Sequence, residues 1–221
     1  MNILVIDVGT SSMRGILFTQ EGKLLTEKQV FYNVTYMENS WVEQKPSDWE
    51  NALYEIMKQI AKKAKSNQWK IDAVTLTSQR SSVIPVDKSI RPLCNAIMWQ
   101  DKRTNEICEE LNTQNDKVFS LCGSRVNPVF SASKMTWIRE NRPEIYEKTF
   151  KFMVIPDYLI YLLTGNICTD YTYGSRSLLM NIHTHQWDPE LLDIFRVERE
   201  KLCDLVAPGS ICGTLTKEIA E

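Results

Sequence analysis

Asp7-Val8-Gly9-Thr10-Ser11-Ser12-Met13-Arg14 is the stretch on which the reading of this chain turns. It follows an apolar run from Asn2 to Asp7, the right length for a buried strand. Gly9 to Ser12 is turn chemistry, and Arg14 to Phe18 resumes strand character. A strand thus delivers one carboxylate, Asp7, to a sheet edge. Gly9 lets the backbone turn tightly and approach a ligand. Thr10, Ser11 and Ser12 offer hydroxyls and backbone N–H groups of the kind that wrap phosphate oxygens. Arg14 returns with a charge-assisted donor, and Asp7 suits Mg²⁺ held through water. The competing reading is a plain hairpin with a polar turn. Two other nucleotide loops are excluded. One glycine followed by a strand is not a GxGxxG that opens a helix, and the Gly-Lys-Ser/Thr of a P-loop is absent.

Outward from this loop, Glu21-Gly22 marks the next turn and Leu24 to Tyr32 a third strand, which makes a meander. After Pro46 the period changes. Ser47 with Glu50 fits a capping box, and Trp49, Leu53, Ile56, Met57, Ile60 and Ala64 recur at helical spacing. Ile71–Leu76 and Val83–Val86 are apolar runs in strand style, with a turn at Asp87–Ser89. Further helices are expected at Thr104–Leu111, Ser131–Glu140, Pro156–Leu163 closed by Gly165, and Pro189–Phe195. Meander, helix, strand and helices predict an α/β fold, a mixed β-sheet flanked by helices. The long mid-chain connections predict an inserted helical lobe around Asn95–Ser133.

The 221 residues suffice for one sizeable core. Hydrophobic content of 43% and charged content of 24% place the chain among ordinary globular proteins. A net charge of −2 offers no basic field for nucleic acid. No stretch approaches the roughly 20 apolar residues of a membrane span. The N-terminus has no basic region and meets an acid at Asp7, which argues against a signal peptide and for a cytoplasmic setting. Cys94, Cys108, Cys122, Cys168, Cys203 and Cys212 include no CxxC pair, so free thiols are expected and a zinc site is not. His183 and His185 read as part of a surface hairpin; the alternative is a pair that shares a strand face toward a metal.

Several later segments belong with the opening loop. They are Trp41-Val42-Glu43-Gln44 with Pro46 and Trp49, Thr77-Ser78-Gln79-Arg80, and Ala96-Ile97-Met98-Trp99-Gln100-Asp101-Lys102-Arg103-Thr104. Phe130-Ser131-Ala132-Ser133-Lys134-Met135-Thr136-Trp137, Ile155-Pro156-Asp157-Tyr158 with Leu163-Thr164-Gly165, and Thr169-Asp170-Tyr171 with Ser175 complete the set. The strand–DxGT–strand opening resembles the first phosphate loop of the actin, heat-shock ATPase and sugar kinase superfamily. The whole series, in order and spacing, resembles the N-terminal domain of the FGGY carbohydrate kinases over nearly all of the chain.

That resemblance implies a ribonuclease H-like domain, the first of two around a cleft, with residues 1–221 forming the sugar-side domain. It implies ATP and Mg²⁺ as cofactors, transfer of the γ-phosphoryl group to a sugar or polyol hydroxyl, no nucleic-acid or membrane partner, and it allows a homodimer. Asp7, Gly9, Thr10, Ser11, Ser12 and Arg14 are then the phosphate residues, with Asp7 toward the metal. Gln79, Arg80, Trp99, Asp101 and Phe130 are the candidate substrate residues. Read without the resemblance, Gln79-Arg80 is equally a solvated loop, Trp99 a core residue, Asp101–Arg103 a local ion pair, and Lys134 structural or a pocket lid. The family's aligning Asp lies in a Gly-x-x-Asp stretch expected beyond Glu221. The chain itself then carries no catalytic base and the 221 residues alone are expected to be inactive. Asp157 and Asp170 read as helix-start and strand-end acids. Glycerol kinases carry Tyr where this chain has Val129 and an acid where it has Ser81, which favours a xylulose-like ketose, an aldonate or a related polyol over glycerol. The alternative to a kinase domain is a stand-alone sugar-binding or regulatory module.

Overall fold

A computed structural model describes residues 1–220. Strands β1 (Asn2–Val8), β2 (Ser12–Thr19) and β3 (Leu24–Phe31) form the expected meander. Two short strands follow, β4 (Thr35–Tyr36) and β5 (Val42–Gln44), then the long helix α1 (Pro46–Ser66) and β6 (Ala73–Ser78). The main sheet has order β3-β2-β1-β6; β1 and β2 are antiparallel, and β6 runs parallel to β1. It is the mixed sheet expected from the chain's pattern.

Alternation decides the core. Leu4, Ile6 and Val8 of β1, with Met13 and Leu17 of β2, face one side and are fully buried. Against them α1 lays Trp49, Leu53, Ile56 and Ile60, one stripe at helical spacing. Gly15 permits this approach: a Cβ there would lie 2.2 Å from Cγ2 of Ile56. The capping box expected at Ser47 is not formed. The helix begins two residues earlier than that box would set it, with Pro46 in its first turn and Lys45 as an N-cap without a side-chain bond. Proline presets the first-turn dihedral and lacks the N–H that a cap would have to satisfy. The β6 run is less buried than its apolar spelling suggests, because β6 is the sheet's edge strand and every second residue is exposed.

The rest of the chain is shared between this core and the lobe. It comprises β7 (Ile84–Val86), β8 (Ala96–Ile97), α2 (Asn105–Glu110), α3 (Asn115–Cys122), α4 (Ser131–Asn141), α5 (Pro143–Lys148) and β9 (Lys151–Met153). Then come α6 (Ile155–Thr164), β10 (Cys168–Asp170), α7 (Tyr171–Ser175), β11 (Met180–Asn181), β12 (Gln186–Trp187), α8 (Pro189–Ile194), β13 (Asp204–Val206) and α9 (Lys217–Ala220). Helix α6 joins the first core beside α1 and ends at Gly165, whose φ of 76° is the left-handed cap that glycine adopts without strain. A second core gathers Val118, Phe130, Met135 and Ile138 with Leu178, Leu191 and Phe195. The insertion is therefore helical, as expected, and draws on residues well beyond Ser133.

His183 and His185 lie in the turn between β11 and β12, the expected hairpin, with His185 stacked on Tyr171. All six cysteines are free thiols. Among the described residues no helix is long and apolar enough to cross a membrane.

Candidate functional site

The β1–β2 loop is short because the two strands stay in register to its base, Val8 opposite Met13. Gly9 N–H donates to the Ser12 carbonyl at 2.9 Å and closes the turn. Among the described residues no acceptor takes the Thr10 or Ser11 N–H, so both stay available to an anion. Asp7 and Arg14 pair across the strands on the sheet face opposite α1; both side chains are exposed and no ion pair joins them. An exposed carboxylate with open solvent before it suits a hydrated Mg²⁺, which keeps most of its water and needs few protein ligands. Among the described residues no three His, Cys, Asp or Glu side chains gather as a metal cage.

Two buttresses hold the loop from outside. Tyr32 O–H donates to the Gly9 carbonyl at 2.7 Å, and Gln29 Nε2 donates to Ser12 Oγ at 2.9 Å. Burial lifts the Tyr32 phenol far above its ordinary range, so it stays a neutral donor. Neither residue was singled out in the sequence, where both read as ordinary members of the third strand.

Gln79 follows β6, which runs parallel to β1 and so ends beside the loop. Its backbone N–H donates to Val8 O at 2.8 Å. Its side chain accepts from the Thr10 hydroxyl at 3.1 Å and donates to Gly9 O at 3.1 Å. The structure thus makes Gln79 first a brace of the phosphate loop. One lone pair and one N–H remain for a ligand. Trp99 is half-buried and reaches the same point, its Nε1 donating to Thr10 Oγ1 at 3.4 Å. Gln79, Trp99 and Thr10 are therefore one cluster, although they come from three elements.

Arg80 is exposed and leaves this cluster on the other side, near the Tyr173 ring and beside Arg176. Phe130 is buried at the start of α4, and the Arg176 guanidinium stacks 4.4 Å from its ring centroid. Arg176 was not read from the sequence; it sits one residue past the Ser175 of a quoted segment, and nothing local marks it. Ser81 is buried, and its hydroxyl donates to the Arg176 carbonyl at 3.3 Å.

Asp101 does not belong to the cluster. It is 0% exposed. Its oxygens accept from the Val42 N–H, the Arg103 N–H and the Arg103 guanidinium. Arg103 also pairs with Glu43 at 2.8 Å and lies beside the Trp41 and Trp137 rings, 4.1 and 4.8 Å from their centroids. The local ion-pair reading is the one the geometry supports, and Asp101 has no lone pair directed at a pocket.

Lys134 is 0% exposed, and its ammonium donates to the Pro128 and Phe130 carbonyls. Burial pushes its pKa down to about 7. It pins the loop that presents Phe130. Asp157 receives the Val154 N–H at the start of α6, and Asp170 caps α7 through Thr172 and Tyr173. Both are helix-start acids.

A family profile described as the N-terminal domain of the FGGY family of carbohydrate kinases matches residues 2–221. The chain is 36% identical over 219 residues to a glycerol kinase of Mycoplasmoides gallisepticum, covering 96% of this chain and 43% of the relative. It is 30% identical over 220 residues to a xylulose kinase of Lactococcus lactis, covering 99% of this chain and 44% of that one. The crystal structure of Plasmodium falciparum glycerol kinase with ADP superposes with a TM-score of 0.93 at 30% identity, over 99% of this chain and 45% of that one. The chain thus spans less than half the length of the relatives it matches.

Proposed function

This chain belongs to the FGGY family of carbohydrate kinases, and on that premise we propose that it is the acceptor-side domain of an ATP-dependent sugar or polyol kinase. The observation that carries the reading is the bond from Thr10 to Gln79. It locks the loop that would meet the phosphates to the strand end that would meet the acceptor. A phosphoryl transfer asks the protein mainly for such positioning and for electrostatic stabilisation.

In this reading Thr10, Ser11 and Ser12 donate to phosphate oxygens, and Arg14 adds positive charge on the sheet face it shares with Asp7. Asp7 would hold a hydrated Mg²⁺, which would supply positive charge to the ATP phosphates. Trp99 supplies an apolar wall for the carbon face of the acceptor, with Phe130 buried beneath Arg176 as its support, and Arg80 and the free valences of Gln79 supply hydrogen bonds. The aligning carboxylate and the adenosine pocket belong to a second domain. In support, the carboxylates of Asp101, Asp157 and Asp170 are engaged in structural bonds. The 221 residues alone should therefore bind acceptor weakly and turn nothing over. The setting is cytoplasmic and the partners are small molecules.

The relatives include both glycerol and xylulose kinases. A ketose or larger polyol is favoured here by Ser81 and Val129. Ser81 is buried with its hydroxyl committed, and Val129 packs against the second core rather than offering a phenol. The test is a coupled ATPase assay of the two-domain kinase over a panel of polyols and ketoses. Turnover of a five- or six-carbon acceptor well above glycerol is expected. Equal or faster turnover of glycerol would refute the preference, and turnover by the 221-residue chain would refute the division of labour.

A further inference from the structure

Among the described residues the outer edge of β6 has no partner strand, and a groove of about 950 Å³ runs along it. Across the groove stand α6, Cys168 of β10, and residues 207–215 of the segment that links β13 to α9. An open strand edge is a template for a second chain, and proteins blunt it by setting a loop or helix over it. Residues 207–215 face this edge but are tied down at few points. Asn166 Nδ2 donates to the Cys212 carbonyl at 2.9 Å, and the Thr216 N–H donates to the Leu163 carbonyl at 2.9 Å. Gly213 packs directly on the α6–β10 turn: a Cβ there would stand 2.6 Å from Asn166 Nδ2 and 3.0 Å from Thr164 Cβ. Ile211, by contrast, is 91% exposed.

These contacts bring two cysteines together. Asn166, which holds the Cys212 carbonyl, lies two residues before Cys168, and both cysteines line the groove. Burial pushes the Cys168 thiol up to about 12, and a hydrogen bond with the adjacent Cys212 side chain pushes the same way. Cys168 is buried, whereas Cys212 is half-buried. One thiol can thus be reached from solvent, and the other is kept protonated beside it. Cys203 lies deeper, with its Sγ directed at the Phe152 carbonyl, and Cys94 and Cys122 belong to the second core.

We propose that Cys168 and Cys212 are a modification site, a thiol pair that hydrogen peroxide converts to a disulfide. Cys212, the accessible thiol, attacks one peroxide oxygen. An S–O bond forms, the O–O bond breaks, and the first water leaves. The Cys168 sulfur then displaces the hydroxyl of that sulfenic acid. The S–S bond forms, the S–O bond breaks, and the second water leaves. The thiols give up two electrons and two protons, and the peroxide is reduced to water. The cross-link fixes residues 207–215 to β10 and keeps them over the open edge of β6. Thr10, Gln79 and Trp99 do not line this groove, so its thiol chemistry is independent of the kinase reading.

Non-reducing peptide mass mapping of the 221-residue chain, before and after hydrogen peroxide under native conditions, tests this. The oxidised chain should lose two of its six free thiols and gain one linked peptide that joins Cys168 to Cys212. It should melt about 5 °C or more higher, a rise that dithiothreitol reverses. Cys212→Ser should form no link and show no rise on peroxide treatment. Cys168→Ala should leave Cys212 as a sulfenic acid that dimedone traps, which separates the reactive thiol from the resolving one. Cys212 is half-buried, so its variant keeps the test open should Cys168→Ala not fold. Linkage of Cys168 to Cys203 would overturn the proposal, as would oxidation of Cys212 to a sulfinic acid with no link. A Cys168–Cys212 disulfide that fails to raise the melting temperature would show that the thiols are not placed to join, and would overturn it too. Each of these results leaves the kinase reading untouched.

Discussion

The Thr10 hydroxyl donates to Oε1 of Gln79 at 3.1 Å across 69 residues of sequence. Gln79 returns a bond of 3.1 Å from Nε2 to the Gly9 carbonyl. The phosphate-loop candidate is therefore held by a side chain that the primary sequence presents as a substrate ligand. Gln79→Leu keeps the volume and removes both bonds. It should cost about 1–2 kcal/mol, seen as a lower urea midpoint at unchanged slope. Amide exchange at Thr10 and Ser11 should quicken while α1 stays protected. Unchanged exchange at the loop would show that Tyr32 and Gln29 suffice to hold it.

Arg103 is expected to be the least replaceable charge in the domain. Its side chain is 3% exposed, bonded to Asp101 and Glu43 and enclosed by Trp41 and Trp137. Arg103→Ala strands a buried Asp101 carboxylate and should cost about 3–5 kcal/mol. Arg103→Lys should recover less than half, since an ammonium can neither form the planar fork nor lie flat against an indole. Equal stability of the Lys variant and wild type in guanidinium unfolding would contradict this account.

Gly15 and Ile56 should be strongly coupled. A methyl at Gly15 would meet Cγ2 of Ile56 at 2.2 Å, inside a fully buried contact. Gly15→Ala should destabilise by about 1–3 kcal/mol through overpacking. Ile56→Ala should cost about 2–5 kcal/mol through the cavity it leaves. The double variant should fall short of the sum by about 1 kcal/mol or more, because each change relieves the other. Simple additivity in a double-mutant cycle would mean that the sheet and α1 move apart instead.

Asp157 should make stability fall as pH rises through the acid range. Burial raises its pKa from the ordinary 3.8 to about 7, outweighing the Val154 N–H and the Thr169 and Cys203 side chains, which favour the charge. An acid with a raised folded pKa takes up a proton on folding. Its neutral form supports the fold at low pH, and that support is lost between 3.8 and about 7. Lys134 acts in the next window with opposite sign. Burial lowers its pKa from 10.5 to about 7, so the cost of holding it charged is relieved as pH rises above 7. The melting temperature should therefore decline from about pH 5 to pH 7, by roughly 5 °C for a chain of this size. Asp157→Asn should flatten that decline; a wild-type slope retained in the Asn variant would assign the effect to another group.

Much of the scaffold was legible because its signals are local. The β1–β2–β3 meander follows from apolar runs separated by Gly9–Ser12 and Glu21-Gly22, and α1 follows from apolar residues three and four apart. Gly165 ends α6 where it was expected to. The Ser47 cap misled because a box needs an N-cap hydroxyl, and Pro46 had already set the first turn. The β6 strand was recognised, but its position at the sheet edge was not, since strand order depends on pairing between distant segments.

The site divides along the same line. The residues of the loop, Asp7 to Arg14, and the series of segments that marks the family were determined by the sequence by itself. A tight turn and a strand end need only their own few residues to be recognised. What each polar side chain does was decided by the tertiary structure alone. Gln79 turned toward Thr10, Asp101 was consumed by Arg103 and Val42, and Arg176 came to lie on Phe130 beside Arg80. The physical reason is that Gln, Asp and Arg each offer several equivalent hydrogen bonds. Which of them are spent and which stay free for a ligand depends on partners tens of residues away, brought within about 3 Å only when the chain has folded.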